Sequence, residues 1–521
     1  MEAEAEAEAG KTALWALRSI TFDVIFSFCR TSRMAPHLVS AGRSSAVRHR
    51  RPQRTVPRPA HNWLTMGRVN DRAPAPHLPH LAPLLSPEGQ TLLAELRDYD
   101  PARELAVATR LRRDHPAELV SAALAQARLR QRGAAKFGAR DAGRMYFTPH
   151  GVEQSTRTAV AAHRAARLRG IAPEAGAAVL DLCCGIGGDA IELARAGFAV
   201  TGVDLDPLTC EIALTNVRTL APDAPSPAVR CQDVRETELP EPGGTPPHAL
   251  FVDPARRGGR GRIFDPEAYS PPLSWALDAV RRTGLGAIKI APGIPHELVP
   301  DDFEAEWISD GGDVKEAVLW HDGRAARAAQ AHPSGRAAQA HAEGRLDTSA
   351  PAGAPEVPGA VVGGTRRATL LPSGATLTSR GLPDPPVRRP GRFLYEPDGA
   401  VIRAHLVAEV AEELNGGLLD ETIAYITADE ARATPYATAY EITDELPFGL
   451  KKLKALLRER EVGVLTVKKR GSAVEPEELR RRVKLKGPNA ATVFLTRVAG
   501  APAMLIGHPA AVRPTVCNRA E

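Results

Sequence analysis

Residues 179–204, reading VLDLCCGIGGDAIELARAGFAVTGVD, constrain the fold more than any other stretch of the chain. An apolar run ends in Asp181, enters the tight turn Cys184-Gly185-Ile186-Gly187-Gly188 and continues as an amphipathic helix. A second apolar run follows and stops at Asp204. Strand, glycine turn, helix and strand in this order open a doubly wound α/β sheet, whose ligands bind at the carboxyl ends of the strands. Gly185 and Gly187 let a ligand approach the backbone, and the helix N-terminus offers free N–H groups. Asp204 is placed to accept hydrogen bonds from a ribose, so the expected ligand is a nucleoside.

Two nucleoside cofactors compete for such a turn. Gly185-Ile186-Gly187-Gly188-Asp189-Ala190 satisfies the dinucleotide pattern, with an acid 17 residues after Gly187. A pyrophosphate, however, is disfavoured by carboxylates around its helix N-terminus. Here Asp181 precedes the turn and Asp189 lies within it. S-adenosylmethionine carries a sulfonium and an α-ammonium group, for which those acids are favourable partners. An acid just ahead of the first glycine is also the opening motif of class I methyltransferases, which this segment resembles. Downstream, a helix over about 207–219 leads to a third strand at 228–232, closed by Asp233. A fourth strand, 248–252, ends in Asp253-Pro254-Ala255-Arg256-Arg257. The four strand-end acids recur at 23-, 29- and 20-residue intervals, the pitch of successive βα units. The resemblance implies that Asp233 faces the adenine amino group.

It also places the chemistry at the end of strand four. Base N-methyltransferases carry Asp or Asn there, then two prolines and an aromatic that stacks on the extruded base. Asp253-Pro254 fits and marks Asp253 as the catalytic acceptor, but Ala255 and Arg256 depart from the pattern. Arg256 and Arg257 either hold a substrate phosphate or form a solvated loop pair. Asp-Pro-x-Arg occurs as well in pyrimidine C5-methyltransferases, which need a cysteine in the next strand region; Gly286–Ile290 has none. Lys289 on that strand is either a substrate contact or a lysine snorkelling past an edge. Together LDLCCGIGGD, FVDPARR, IKIAPGI and VKEAVLW resemble a bacterial class I methyltransferase family with a C-terminal THUMP-like module, over roughly 88–515. The glycine turn is also similar to the trimethylguanosine synthase group, which methylates a guanine amino group in RNA. The implied fold is α/β: a doubly wound sheet of seven strands whose last hairpin is antiparallel, between an N-terminal helical region and a C-terminal α+β THUMP-like module.

The remaining sequence sets the domain plan. Residues 1–85 begin with a low-complexity EAEAEAEA and continue Arg-rich, and are expected to be disordered or a misassigned extension starting ahead of Met34 or Met66. The apolar run at 12–29 is interrupted by Arg18 and Asp23, so no membrane span is expected. Residues 86–170 have helical patterning, with Pro87 and Glu88 at a helix start. Tyr146 and Phe147, near its end, either line the acceptor pocket or belong to the core. The methyltransferase domain is expected over 171–380. Within it, 321–363 is Ala/Gly/Pro/His-rich and poor in large apolar side chains, which suggests a disordered insertion inside the final hairpin. Six cysteines without a C-x-x-C or a ligand-like spacing to histidine point to a reducing, cytoplasmic compartment and no structural metal.

The C-terminal module, 388–515, holds the sharpest charge signal. Residues 451–486 carry 13 Lys/Arg against 5 Glu, a net +8, whereas the whole chain is +5. Seven of the eleven lysines fall here although Arg dominates elsewhere. Such a strip is the footprint of phosphate binding or a solvated helix face. Val462–Arg470 reads as a strand delivering Lys468, Lys469 and Arg470 to one end. The resulting expectation is an S-adenosylmethionine-dependent methyltransferase acting on a base amine of structured RNA, with the donor over Gly185–Gly187. The alternatives are a catalytically degenerate RNA-binding protein of the same fold, or a small-molecule or protein methyltransferase.

Overall fold

A computed structural model describes residues 81–511, apart from 175, 241–247, 259–260, 263–264 and 324–360. The expectations for 1–80 and for most of 321–363 lie outside the described residues. The helical prelude comprises α1 (Pro87–Glu95), α2 (Glu104–Leu111), α3 (Ala117–Ala142), α4 (Pro149–Gln154) and α5 (Thr158–Ile171). Ser86 caps α1 by accepting the Gly89 N–H, and Thr148 caps α4 from Gly151 in the same way. Tyr146 and Phe147 prove to be core. Phe147 fills the space left by the missing side chain of Gly133, where a Cβ would stand 2.7 Å from the ring. Tyr146 is buried, with its hydroxyl accepting from Gln90 Nε2 at 2.6 Å.

Five parallel strands follow: β1 (Ala178–Leu182), β2 (Ala199–Asp204), β3 (Ala228–Cys231), β4 (His248–Val252) and β5 (Leu285–Ile290). Helices α6 (Gly188–Arg195), α7 (Pro207–Leu220) and α8 (Leu273–Thr283) connect them. β5 is buried along its whole length, as a strand covered on both faces must be. β6 (Glu304–Asp310) and β7 (Asp313–Asp322) form an antiparallel hairpin, and β7 lies between β5 and β6. Two expectations fail at this point. The hairpin closes tightly through Gly311 and Gly312, at φ +63° and +85°, so the 321–363 segment follows it and does not interrupt it. Beyond the segment, β8 (Arg366–Leu371) pairs parallel to β6, and β9 (Ala375–Thr378) pairs antiparallel to β8. The sheet therefore has nine strands, in the order β9-β8-β6-β7-β5-β4-β1-β2-β3, and not seven.

A second, seven-stranded sheet holds β10 (Phe393–Pro397), β11 (Gly417–Asp420), β12 (Ile423–Ala428), β13 (Ala437–Pro447), β14 (Val462–Lys469), β15 (Asn489–Val498) and β16 (Ala501–Pro509). Its order is β11-β12-β10-β13-β16-β15-β14. Between these strands lie α9 (Gly399–Arg403), α10 (Val407–Glu413), α11 (Leu450–Glu459) and α12 (Pro476–Val483). One continuous apolar core joins Leu250, Ile288 and Trp307 of the first sheet to Tyr395, Val401, Leu406 and Ile426 around the second. A separate core, including Leu453, Leu457, Leu479, Val483, Val493 and Met504, lies under α11 and α12. His405, at φ +55°, separates α9 from α10, and its ring stacks on His296 at 3.8 Å.

Candidate active site

The glycine turn is held from both sides. The Cys184 N–H donates to the Val203 carbonyl at 3.1 Å, and the Gly185 N–H donates to Asp204 Oδ2 at 3.0 Å. Gly185 and Gly187 both have positive φ, +54° and +84°, which excludes most side chains. A Cβ on Gly185 would meet nothing within 4 Å, so the space above it is open. Asp204 Oδ1 accepts the Asp206 N–H at 3.2 Å, and Asp206 in turn caps α7. Beside it Leu205 is 70% exposed, an apolar face at the rim that the sequence reading passed over. Behind the turn, Asn216 is fully buried and clamps two segments together. Its Nδ2 donates to the carbonyls of Tyr146 and Ile186, both at 2.9 Å, and its Oδ1 accepts the Tyr146 N–H.

Asp181, the last residue but one of β1, has no exposed surface, and neither carboxylate oxygen has a hydrogen-bond partner among the described residues. Burial pushes its pKa well above the ordinary range, and the carboxylates of Asp189 and Asp253 add to the effect. An orphaned buried acid needs a partner. Open space over Gly185, the carboxylate of Asp204, the apolar Leu205 and the orphaned Asp181 together fit a nucleoside that carries positive charge. Asp189 behaves differently from the sequence expectation. Burial opposes its charge, but Arg164 and Lys289 hold its carboxyl below the usual range. Arg164 bridges Asp189 and Glu316, and Thr156 Oγ1 donates to Asp189 Oδ2 at 2.9 Å. Asp189 is thus neutralised internally and adds little to repulsion of a diphosphate. Asp233 caps a short 3-10 turn and pairs with Arg235 at 2.6 Å, whose hydrogen bonds lower its pKa to about 2.

Asp253 stands at the end of β4, where its N–H donates to the Leu182 carbonyl at 3.1 Å and brings it beside the end of β1. Its side chain is 23% exposed. Lys289, only 4% exposed, reaches from β5 and donates to Asp253 Oδ2 at 2.6 Å and to Thr156 Oγ1 at 2.9 Å. Of the two sequence readings of Lys289, snorkelling past an edge is thereby excluded. A lysine within an all-buried strand must find an anion, and that was the available signal. Thr156 and Arg164 carried no local signal, because their partners lie far along the chain. The loop after Asp253 is fixed by paired backbone bonds between Ala255 and Ser270, at 2.9 and 3.1 Å. Arg256 is half-buried, and the backbone of Arg257 and Gly258 pairs with that of Arg262 and Gly261 in a short hairpin.

The strand-end cations of the C-terminal module are engaged within the protein. Lys468 pairs with Glu396, Arg470 lies 3.9 Å from the same glutamate, and Lys469 pairs with Glu475 at 2.7 Å. By contrast Lys451, Lys452, Arg458, Arg481, Lys484 and Lys486 are exposed and make no salt bridge among the described residues. They belong to α11, α12 and the turn after α12.

A doubly wound sheet with a glycine turn, an acid at the end of the second strand and a strand-four Asp-Pro defines a class I methyltransferase fold. Residues 179–246 match the family described as methyltransferase domain, 437–509 that described as THUMP domain-like, and 77–133 a domain of unknown function. An uncharacterized S-adenosylmethionine-dependent methyltransferase of Mycobacterium tuberculosis H37Rv is 30% identical over 377 residues, 71% of this chain and 90% of the relative. Its counterpart in strain CDC 1551 matches equally. The crystal structure of a candidate methyltransferase from Porphyromonas gingivalis W83 shares the fold, with a TM-score of 0.61 at 19% identity over 81% of this chain and 98% of that one. The chain belongs to the S-adenosylmethionine-dependent methyltransferases and carries a THUMP-like domain at its C-terminal end. The likeness of its glycine turn to the trimethylguanosine synthase group remains one of motif alone. No helix among the described residues is long and apolar enough to cross a membrane.

Proposed function

We propose that this methyltransferase N-methylates a base in a structured RNA, either rRNA or tRNA, in the cytoplasm. The observation that carries the reading is Asp253. It ends β4 beside Asp181, and no donor among the described residues reaches its Oδ1. S-adenosylmethionine supplies an electrophilic methyl group on a sulfonium. The Gly185–Gly187 backbone carries the donor, Asp204 its ribose and Asp233 its adenine, with Leu205 against the base. Asp181 answers the donor's positive charge. Asp253 Oδ1 accepts an N–H of the acceptor amine, which aligns the nitrogen lone pair with the methyl group and then takes the released proton. Alignment of this kind supplies most of the rate.

The RNA assignment rests on the THUMP-like match and on the unpaired cations of α11 and α12. Arg256 and Arg257 remain proposed phosphate contacts beside the acceptor. Lys468, Lys469 and Arg470 join the RNA surface only if RNA competes with Glu396 and Glu475. The free thiols of Cys183, Cys184, Cys210 and Cys231 suit a reducing compartment. The altered Ala255-Arg256 loop supports a second reading, an RNA-binding protein that keeps the donor crevice without turnover. Labelled methyl transfer into total RNA from a deletion strain, followed by nucleoside mass spectrometry, decides. One restored modification supports the proposal. Donor binding without transfer supports the second reading, and nuclease-resistant label indicates a protein or small-molecule acceptor.

A further inference from the structure

Lys289 is more deeply buried than the carboxylate it serves, and its bonds have a fixed direction. Its ammonium donates to Asp253 Oδ2 at 2.6 Å and to Thr156 Oγ1 at 2.9 Å. The Thr156 hydroxyl, having accepted from Lys289, donates its own proton to Asp189 Oδ2. Asp189 is closed on its other oxygen by Arg164, which also binds Glu316 of β7 and lies over the Phe251 ring at 4.6 Å. The chain from Glu316 to Asp253 therefore has a donor for each link, and it ends at the reacting carboxylate. The groups shown to act on Asp253 are Asp181 from β1, Cys183 ahead of the glycine turn and Lys289 from β5. Among them Lys289 is the cation in hydrogen-bond contact with it.

We propose that Lys289 is the positioning residue of the transfer site, pinning Oδ2 of Asp253 so that Oδ1 faces the acceptor amine. The proposal rests on the reading of Asp253 given above. Without the ammonium, Asp253 faces Asp181 with no cation in contact. The carboxylate then swings freely and takes up a proton more readily. Thr156 acts through Lys289 by setting the direction of its ammonium.

The test compares Lys289→Gln, Lys289→Arg and Thr156→Val with the wild-type full chain. One arm measures labelled methyl transfer into deletion-strain RNA across pH about 5–9. The Gln variant is expected to lose about 10- to 100-fold in transfer near pH 6, with its acid limb about 1–3 pH units higher. Thr156→Val should move the same limb by less, and Lys289→Arg should restore it in part. S-adenosylhomocysteine affinity should stay within about threefold throughout, because the donor crevice is not touched. A Gln profile superimposable on wild type overturns the proposal, and so does a parallel collapse of S-adenosylhomocysteine affinity, which marks a structural role. If the Gln variant does not fold, a wild-type profile for Thr156→Val overturns it equally.

The second arm needs no acceptor. It follows the ratio of S-adenosylmethionine to S-adenosylhomocysteine affinity against pH. That ratio should follow the protonation of Asp181 in wild type, and its pH dependence should shift in the Gln variant, where Asp253 has lost its counter-charge. Superimposable curves in the two proteins overturn the proposal. A shifted variant beside a wild type that labels no acceptor instead sinks the proposed function, while the role of Lys289 in holding Asp253 stands.

Discussion

The carboxylate of Asp204, at the end of β2, accepts the backbone N–H of Gly185 at 3.0 Å and so ties the second strand to the first turn. One side chain thereby shapes two walls of the crevice proposed for the donor. Asp204→Ala should weaken S-adenosylhomocysteine binding by about 1.5–3 kcal/mol, the range for a hydrogen bond to a charged group, with Asp253→Ala leaving that binding intact. Calorimetric titration checks both. Equal affinity in wild type and Asp204→Ala removes the ribose assignment.

Asn216 connects the helical prelude to the turn through three hydrogen bonds. Truncation leaves two carbonyls and one N–H buried without partners. Asn216→Ala should therefore lower stability by about 2–4 kcal/mol and loosen the turn it braces. Urea denaturation gives the first quantity and donor titration the second. A variant as stable as wild type means that the clamp is dispensable.

The stacked His296 and His405 predict acid sensitivity. Burial lowers both pKa values, that of His405 to about 3, where the neighbouring His296 adds to the effect. The unfolded chain binds protons at about pH 6.5 that the folded rings refuse. Their contribution to stability is present above that pH and declines as the pH falls toward 3. Melting temperature should fall from pH 7 to about 5, and His405→Phe should flatten the fall. Identical slopes in the two proteins dismiss the histidine pair as the cause.

The two groups of cations in the C-terminal module should separate by experiment. Charge reversal at Lys451, Lys452 and Arg458 should weaken RNA binding and reduce its salt slope by about 2–3, with melting temperature unchanged. Reversal at Lys468 places a carboxylate against Glu396 and should lower melting temperature first. Salt slopes that respond only to the second set return the phosphate contacts to the strand end.

Much of this was legible because the signals were local. The strand-end acids Asp181, Asp204, Asp233 and Asp253 follow from the apolar runs they close and from their spacing, and all four stand within two residues of a strand end. The Gly311-Gly312 turn is itself a two-residue signal for the hairpin, but the longer low-complexity stretch beyond it is the louder break in composition. The pairing of Lys468 with Glu396 spans 72 residues and has no periodic trace. The same holds for Lys289, whose three polar neighbours come from separate parts of the chain. Local pattern finds where strands end; it does not find which charges meet across the sheet.

The continuous interior that links β4, β5 and β6 to β10 and β12 bears on how such a protein could be rearranged. Division near residue 388, where composition changes, would strip Tyr395, Val401 and Ile426 from the interior they fill. The catalytic sheet would then present an oily wound to water. The segment from β13 onward keeps a second interior of its own beneath α11 and α12, and it coincides with the THUMP-like match at 437–509. A seam near Tyr436 keeps that interior whole but still divides the buried cluster of Leu394, Tyr425, Tyr440, Phe494 and Leu505, so exchange of the segment between relatives should succeed there only where those five positions match.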